Sequence, residues 1–217
     1  MGHHLPFLFD LTEAPMVEEL QDPEEDSSRR IDCPVLVTGR LVLRKPHETD
    51  AEDLARLANN ARIAAMLTRM PHPYGMTEAE DFLSRAETRA SGCIYAVTLA
   101  ANGQFIGCAG LEDSRGNGLE LGYWIGQPFW GNGYATEAAQ ALVDVAFRNT
   151  AIDVLRASCR VSNGASRRVI HKCGFQFAGQ GLVTSLVAGQ MTVEHYGLDR
   201  ATWIGLRSWS GNGKAGA

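Results

Sequence analysis

The 217-residue sequence has no long hydrophobic run, and its apolar stretches reach only five or six residues, as at Ile94–Leu99. A helix that spans a bilayer needs about 20 apolar residues, so no membrane span is predicted. The opening segment Met1–Leu11 has no basic cluster, and Pro6 and Asp10 interrupt its apolar residues, which argues against a secretory signal. We therefore expect a cytoplasmic protein.

Cysteine and histidine lack the spacings that bind metals. The five cysteines are widely separated with no CxxC pair, and the six histidines form no HExxH motif. The odd number and wide spacing argue against a disulfide framework and a structural zinc site. The sequence therefore predicts no bound metal.

Charge of one sign is concentrated at the start of the chain. Residues 1–34 hold nine acids and two bases, so their net charge is −7, whereas the other 183 residues have a net charge of +2. The acidity and several prolines predict a flexible extension over 1–34. No basic stripe suggests a nucleic-acid partner.

The remaining residues have the composition of one globular domain. Of the whole chain 45% is hydrophobic and 21% charged, which excludes wholesale disorder. We place the domain at residues 35–205 and a flexible tail at 206–217. The length does not distinguish a monomer from a homodimer.

Hydrophobic periodicity predicts alternating strands and helices. Capping boxes at Thr49–Glu52 and Thr77–Glu80 are expected to open the first two helices. Two further helices are predicted at 134–148 and 163–173, and strands at 35–44, 94–100, 104–111, 119–125, 154–161, 175–178 and 191–198. The order is β-α-α-β-β-β-α-β-α-β-β, a mixed α/β domain.

The most informative segment is a glycine-rich turn between a strand and a helix. Leu119–Ile125 is followed by Trp130-Gly131-Asn132-Gly133-Tyr134-Ala135-Thr136. Such a turn directs unpaired backbone N–H groups and the helix dipole at one point, which suits a phosphate. Gly131 and Gly133 can adopt positive φ and allow close approach of a ligand.

Two common phosphate loops do not match this turn. A P-loop requires Lys-Ser/Thr after its last glycine, where this chain has Tyr134–Ala135. A dinucleotide fingerprint requires a third glycine where Thr136 stands, and Asp153 precedes the following strand instead of ending it.

Several segments, in order, resemble one family. They are Thr38–Arg44, Gly122–Ile125, the glycine turn with Tyr134–Ala138 after it, Asn163 with Ser166, Lys172–Phe175, Tyr196–Leu198 and Trp203. Over residues 36–203 the sequence resembles the GNAT superfamily of N-acetyltransferases, and most closely its Rim-type branch of ribosomal-protein N-terminal acetyltransferases. This resemblance implies the GNAT fold, a mixed and mostly antiparallel sheet flanked by helices.

The resemblance also implies acetyl-CoA as the cosubstrate. Its pyrophosphate would lie on the backbone of Gly131–Thr136, and its pantetheine arm along the backbone of Trp124 and Ile125. The implied cofactor-binding residues are Trp124, Ile125, Trp130, Gly131, Asn132, Gly133, Tyr134, Ala135, Thr136, Asn163 and Ser166. The side chains of the two tryptophans could equally serve packing alone.

The helix after the next strand supplies two further candidates. Asn163 corresponds to the family's pantetheine-binding Asn, although Asn is also an ordinary helix N-cap. Ser166 corresponds to a Rim-type Ser that protonates the leaving thiolate, or it is a solvent-facing residue of the first turn.

Two acid–base positions of related enzymes are not retained. Ile170 stands where many GNAT enzymes have a Tyr, and Ser185 where some Rim-type enzymes have a Glu. Glu120 is the remaining candidate for a general base, because it shares a strand face with Trp124. The alternative is a strand carboxylate paired with an arginine. Cys159 is interpreted as a core thiol.

The leading hypothesis is direct acetyl transfer from acetyl-CoA to a primary amine, either an N-terminal α-amine or a small-molecule amine. The alternative is a catalytically silent acyl-CoA sensor with the same fold. Weak acid–base assistance would favour an α-amine, because its pKa is about 7.7–8.0 against about 10.4 for lysine.

Overall fold

The computed structural model describes residues 33–88, 92–113 and 118–212. The acidic segment before Cys33 and the last five residues lie outside this part of the chain. Within the described residues no helix is both long and apolar enough to cross a membrane.

Eight strands of the described chain form one sheet with the order β1-β2-β3-β4-β5-β6-β8-β7. The strands are β1 Leu36–Val37, β2 Leu41–Arg44, β3 Cys93–Leu99, β4 Phe105–Asp113, β5 Leu119–Ile125, β6 Val154–Arg160, β7 Gln176–Ser185 and β8 Gly189–Asp199. All pairs are antiparallel except β5 with β6. The expected mixed, mostly antiparallel sheet is confirmed.

Helices cover both faces of the sheet. They are α1 Ala51–Ala58, α2 Ala61–Ala64, α3 Met76–Thr88, α4 Tyr134–Asn149, α5 Gly164–Lys172 and α6 Arg200–Asn212. One core joins α4 and α5 to the face that carries Leu121. A second core joins α1 and α3 to the face that carries Trp124. Because side chains alternate between the two faces along β5, this strand contributes residues to both cores.

Four local predictions are corrected. The first strand is two strands, because the chain reverses between Thr38 and Leu41, where a 2.9 Å backbone hydrogen bond closes the turn. The first helix is preceded by a 3-10 turn capped by His47, and Thr49 caps nothing. The second box is wrong in its position, since α3 begins at Met76, ahead of Thr77, and Glu78 in place of Glu80 accepts a backbone N–H, that of Gly75. β7 extends well past Ala178.

Two further differences depend on tertiary contacts. Cys33 and Cys93 form a disulfide, so the expectation that the cysteines do not pair is wrong for these two. Folding brings them together although 60 residues separate them, a proximity that linear spacing does not encode. At the other end, α6 continues through Asn212, past the domain boundary expected at residue 205.

Candidate active site

The glycine turn opens α4 with the backbone geometry of an anion site. Gly131 and Gly133 have φ of 81° and 80°, in the left-handed region that favours glycine. Gly133 is the N-cap and has no side chain to cap the helix. The first helical bond runs from Glu137 N–H to the Gly133 carbonyl at 3.1 Å. The N–H groups of Tyr134–Thr136 precede it, so they have no acceptor within the helix.

Side chains from two directions hold this turn in place. The Trp130 indole N–H donates to the Ile125 carbonyl at 2.6 Å, which ties the turn to the end of β5. From the β1–β2 turn, Arg40 donates to the Asn132 carbonyl at 2.9 Å and to the Glu137 carboxylate at 2.8 Å. The sequence analysis did not identify this Arg40–Glu137 support, because the two residues lie 97 positions apart.

The neighbouring strands β5 and β6 separate beside the turn. Their ladder contains only the pairs Glu120–Arg156 and Leu121–Ala157, although each strand has seven residues. Beyond these pairs a cavity of about 720 Å³ opens between the strands and reaches the glycine turn. All the predicted site residues line it except Asn132, whose amide instead donates to the Phe129 and Trp130 carbonyls at 3.2 Å.

The first turn of α5 brings Asn163 and Ser166 to the cavity. Asn163 is the N-cap, and its Oδ1 accepts the Ser166 backbone N–H at 3.1 Å, while the side chain also lines the cavity. The Ser166 hydroxyl lies 2.9 Å from the Tyr123 hydroxyl. Burial raises the pKa of Tyr123, so this phenol is protonated at neutral pH. Tyr123 is a partner that the sequence analysis missed.

Glu120 is buried at the base of the cavity, with 6% of its surface exposed. This burial is the main cause that raises the pKa of Glu120 to about 8, and the nearby Glu112 carboxylate adds to it. A hydrogen bond from Ser158 and the charges of Arg156 and Arg69 oppose the shift. Glu120 belongs to none of the ion pairs among the described residues, so the arginine-paired alternative is not what the structure shows.

A polar row continues from Glu120 across the sheet. The Ser158 hydroxyl, on β6, lies 3.0 Å from Nδ1 of His195 on β8. Burial lowers the pKa of His195, so its ring is neutral near pH 7. Oε2 of Glu120 and Nε2 of His195 are both buried without a hydrogen-bond partner. The row links the candidate base to a neutral group that can accept or donate a proton.

The departures from the family pattern have structural roles. Ile170 belongs to α5, and its side chain is buried in the core between this helix and the sheet. The Ser185 hydroxyl donates to the Leu67 carbonyl at 2.9 Å, which fastens the β7–β8 hairpin to the segment after α2. Cys159 is buried, and burial raises its pKa to about 11, so it is protonated at neutral pH. Trp124 is also buried, with its ring edge against Phe105.

The far wall of the cavity was not foreseen from the sequence. It is formed by α2 and the segment after it together with β6 and β8, and it is lined by Ile63, Met66, Leu67, Thr68, Ser158, Arg160, Met191 and Val193. A separate cleft of about 760 Å³, between β1, α4 and α6, contains neither the glycine turn nor Glu120. The first cavity is therefore the candidate active site. No cluster of His, Cys, Asp or Glu in the described ranges could hold a metal ion.

Comparison with known proteins agrees with this geometry. The acetyltransferase (GNAT) domain family matches residues 40–176, which includes the glycine turn, Glu120 and Ser166. The N-acetyltransferase p20 of Bacillus licheniformis, itself uncharacterized, is 25% identical over 149 residues, which cover 66% of this chain and 83% of that protein.

Solved structures share the fold at lower identity. Mycobacterium smegmatis RimJ in complex with a CoA disulfide has a TM-score of 0.65 at 19% identity, over 74% of this chain and 82% of RimJ. The microcin C7 self-immunity acetyltransferase MccE, in complex with acetyl-CoA and AMP, has a TM-score of 0.65 at 19% identity, over 75% of this chain and 93% of MccE. With the family match over most of the described domain, the chain belongs to the GNAT acetyltransferase family.

Proposed function

We propose that this protein transfers an acetyl group from acetyl-CoA to a primary amine, with Glu120 as general base. The observation that supports it most is the cavity between β5 and β6, which joins the glycine turn, Ser166 and the buried Glu120. The N–H groups of Tyr134–Thr136 would bind the pyrophosphate of acetyl-CoA. The part of β5 that does not pair with β6, at Trp124 and Ile125, would bind its pantetheine arm, together with Asn163.

Acetyl-CoA supplies an activated thioester, and residues of the protein accept and donate the protons. The ionised Glu120 carboxylate accepts a proton from the incoming ammonium through water, which frees the nitrogen lone pair. The nitrogen–carbon bond then forms and the carbon–sulfur bond breaks. Ser166 donates a proton to the leaving thiolate, and the adjacent Tyr123 hydroxyl orients Ser166 and can replace that proton.

The acceptor proposed is an α-amine, either a peptide N-terminus or a small molecule of similar pKa. At pH 7 an α-amine is about one-tenth neutral, whereas a lysine side chain is neutral only to about 0.04%. That ratio corresponds to roughly 3–4 kcal/mol that a base must supply for lysine. A pKa of about 8 suits Glu120 for deprotonating a group of similar pKa. One structural neighbour, RimL, is a ribosomal L7/L12 alpha-N-protein acetyltransferase, and this class of acceptor supports the proposal.

The test compares two peptides of equal composition in the presence of acetyl-CoA, with free thiol measured over time. One peptide has a free N-terminus and blocked lysines, and the other has the reverse. We expect thiol release with the first peptide at neutral pH. Faster acetylation of the lysine peptide would contradict the α-amine acceptor. Tight CoA binding without thiol release from any amine would contradict transfer and favour the acyl-CoA sensor, which the comparisons do not otherwise support.

A cytoplasmic location also remains a proposal. It follows from the sequence analysis, and the Cys33–Cys93 disulfide argues against it, because such bonds are rare in reducing compartments. The partners that the proposed reaction requires are acetyl-CoA and the amine.

A further inference from the structure

The candidate active site has an excess of positive charge. Four basic side chains of the described chain line the cavity, Arg62, Arg160, Arg168 and Lys172, against the single acid Glu120. Arg168 and Lys172 lie on α5, and the Arg62 guanidinium lies over the Trp130 ring beside the glycine turn, 5.2 Å from its centroid. The phosphates of acetyl-CoA would account for basic groups near the turn and α5. Arg160 lies on β6, away from both the glycine turn and α5, so these phosphates do not account for it.

Arg160 lies at the end of β6, on the face of the sheet that carries Glu120. The parallel register pairs Glu120 with Arg156, and strand residues at even spacing share a face. Two pleats further along, Arg160 reaches the level of Trp124, across the gap between the strands. It therefore lies across the cavity from the backbone where the thioester would be held, and on the side bounded by the apolar wall of Ile63 and Met191.

The Arg160 guanidinium is only partly satisfied. Its Nη1 donates to the Ala65 carbonyl at 2.8 Å, and the side chain is half-buried. No carboxylate of the described ranges forms an ion pair with it. A guanidinium has five N–H donors, and its planar fork matches the two oxygens of a carboxylate. A half-buried cation without a counter-ion gains most from an anionic ligand.

We infer that Arg160 is a binding subsite for a carboxylate on the acceptor, so that the acceptor carries a carboxylate close to its reacting amine. This inference rests on the proposed acetyl transfer and specifies its acceptor. The carboxylate is either the α-carboxylate of an amino acid or an acidic side chain beside a peptide N-terminus. The same arginine disfavours polyamines, because a second ammonium group at this level would face a like charge.

The test uses two pairs of acceptors that differ only in charge. One pair is leucine and leucinamide, and the other is Ala-Asp amide and Ala-Asn amide. The value of kcat/KM is measured for each with the wild type, with Arg160→Gln and with Arg156→Gln. The last variant is a matched control for the ratios, because Arg156 is on the same strand but does not line the cavity, and the effect of its charge on Glu120 is shared by both members of a pair. Comparing ratios between enzymes cancels the different amine pKa values within each pair.

We expect Arg160→Gln to lower the carboxylate-to-neutral ratio by about 10- to 100-fold in at least one pair, as for loss of a charge-assisted hydrogen bond. The pair that responds identifies the source of the carboxylate. Arg156→Gln should leave both ratios unchanged. Equal losses for both members of each pair would show that Arg160 only ties β6 to Ala65, and would overturn the inference.

A second measurement does not depend on turnover. N-acetyl-leucine should bind the CoA-loaded wild type about 10-fold or more tighter than N-acetyl-leucinamide in calorimetry. Arg160→Lys keeps the charge without the planar fork, so it should retain part of this preference. Equal affinities in the wild type would overturn the inference. Failure of the proposed function has a different signature, since no acceptor would then release thiol with the wild type.

Discussion

Replacement of Glu120 by Gln should strongly lower activity and increase stability. Glutamine has the shape of a protonated glutamate, so it preserves packing at a site only 6% exposed but cannot accept a proton. Loss of a general base costs about 100- to 10,000-fold in rate. A residue needed only for the fold would behave in the opposite way. Its replacement would lower stability, and activity would fall only as far as the fraction of folded protein falls.

The stability change has a definite pH dependence. Burial raises the pKa of Glu120 from 4.5 to about 8, so between these values the folded state holds the proton more tightly than the unfolded chain. The wild type therefore loses stability as pH rises through this window, and the loss is complete above pH 8. A pKa difference of this size corresponds to at most about 5 kcal/mol. Glu120→Gln removes this loss. Its free energy of unfolding should therefore exceed that of the wild type by an amount that grows from pH 5 to pH 8.

The assays are urea unfolding at a series of pH values and kcat/KM with the free-N-terminus peptide, whose amine titrates in the same way for each enzyme. The ratio of kcat/KM between the wild type and Glu120→Gln should rise with pH in a limb that levels off near the pKa of Glu120. Glu112→Gln is the control on β4, because loss of the opposing carboxylate lowers the pKa of Glu120 and moves the limb to lower pH. Full activity in Glu120→Gln, or unchanged stability at pH 8, would refute the reasoning.

Three further predictions concern other parts of the molecule. Gly133→Val should weaken CoA binding at least 10-fold in calorimetry, because the side chain strains a left-handed residue and obstructs the anion site, whereas Gly103→Val, equally left-handed but in the β3–β4 turn, should not. Undiminished affinity in the first variant would contradict the site. Ser166→Ala should lower kcat about 100-fold with little change in CoA affinity. Ser162 also lines the cavity, so Ser162→Ala is the control and should leave kcat unchanged. Equal effects of the two changes would contradict a proton donor at Ser166. Cys93→Ser should destabilise the oxidised protein by about 4 kcal/mol in urea, because the bond closes a 60-residue loop, and a wild type insensitive to reductant would contradict this.

Local patterns predicted the part of the site that depends on near neighbours in the chain. Alternation placed β5 at its observed bounds, and the two glycines with the following helix located the anion site. Asn163 was predicted as a helix N-cap, and the structure confirms this role, whereas its predicted contact with pantetheine came from the family resemblance. Each of these features depends on backbone conformation and hydrogen bonds within a few residues, which the local sequence encodes directly.

Contacts between distant segments decided the rest. The sequence named Glu120 as a candidate base, but its burial beside Glu112 and Ser158, and hence its raised pKa, requires three strands to assemble. The Tyr123–Ser166 hydrogen bond and the position of Arg160 opposite α2 likewise join residues 43 and 95 positions apart. Desolvation and charge interactions depend on distance in space, which a linear pattern does not specify. The sequence by itself therefore determined the local conformation of the proposed cosubstrate site, and only the tertiary structure decided the environment of the groups proposed to transfer protons and to bind the acceptor.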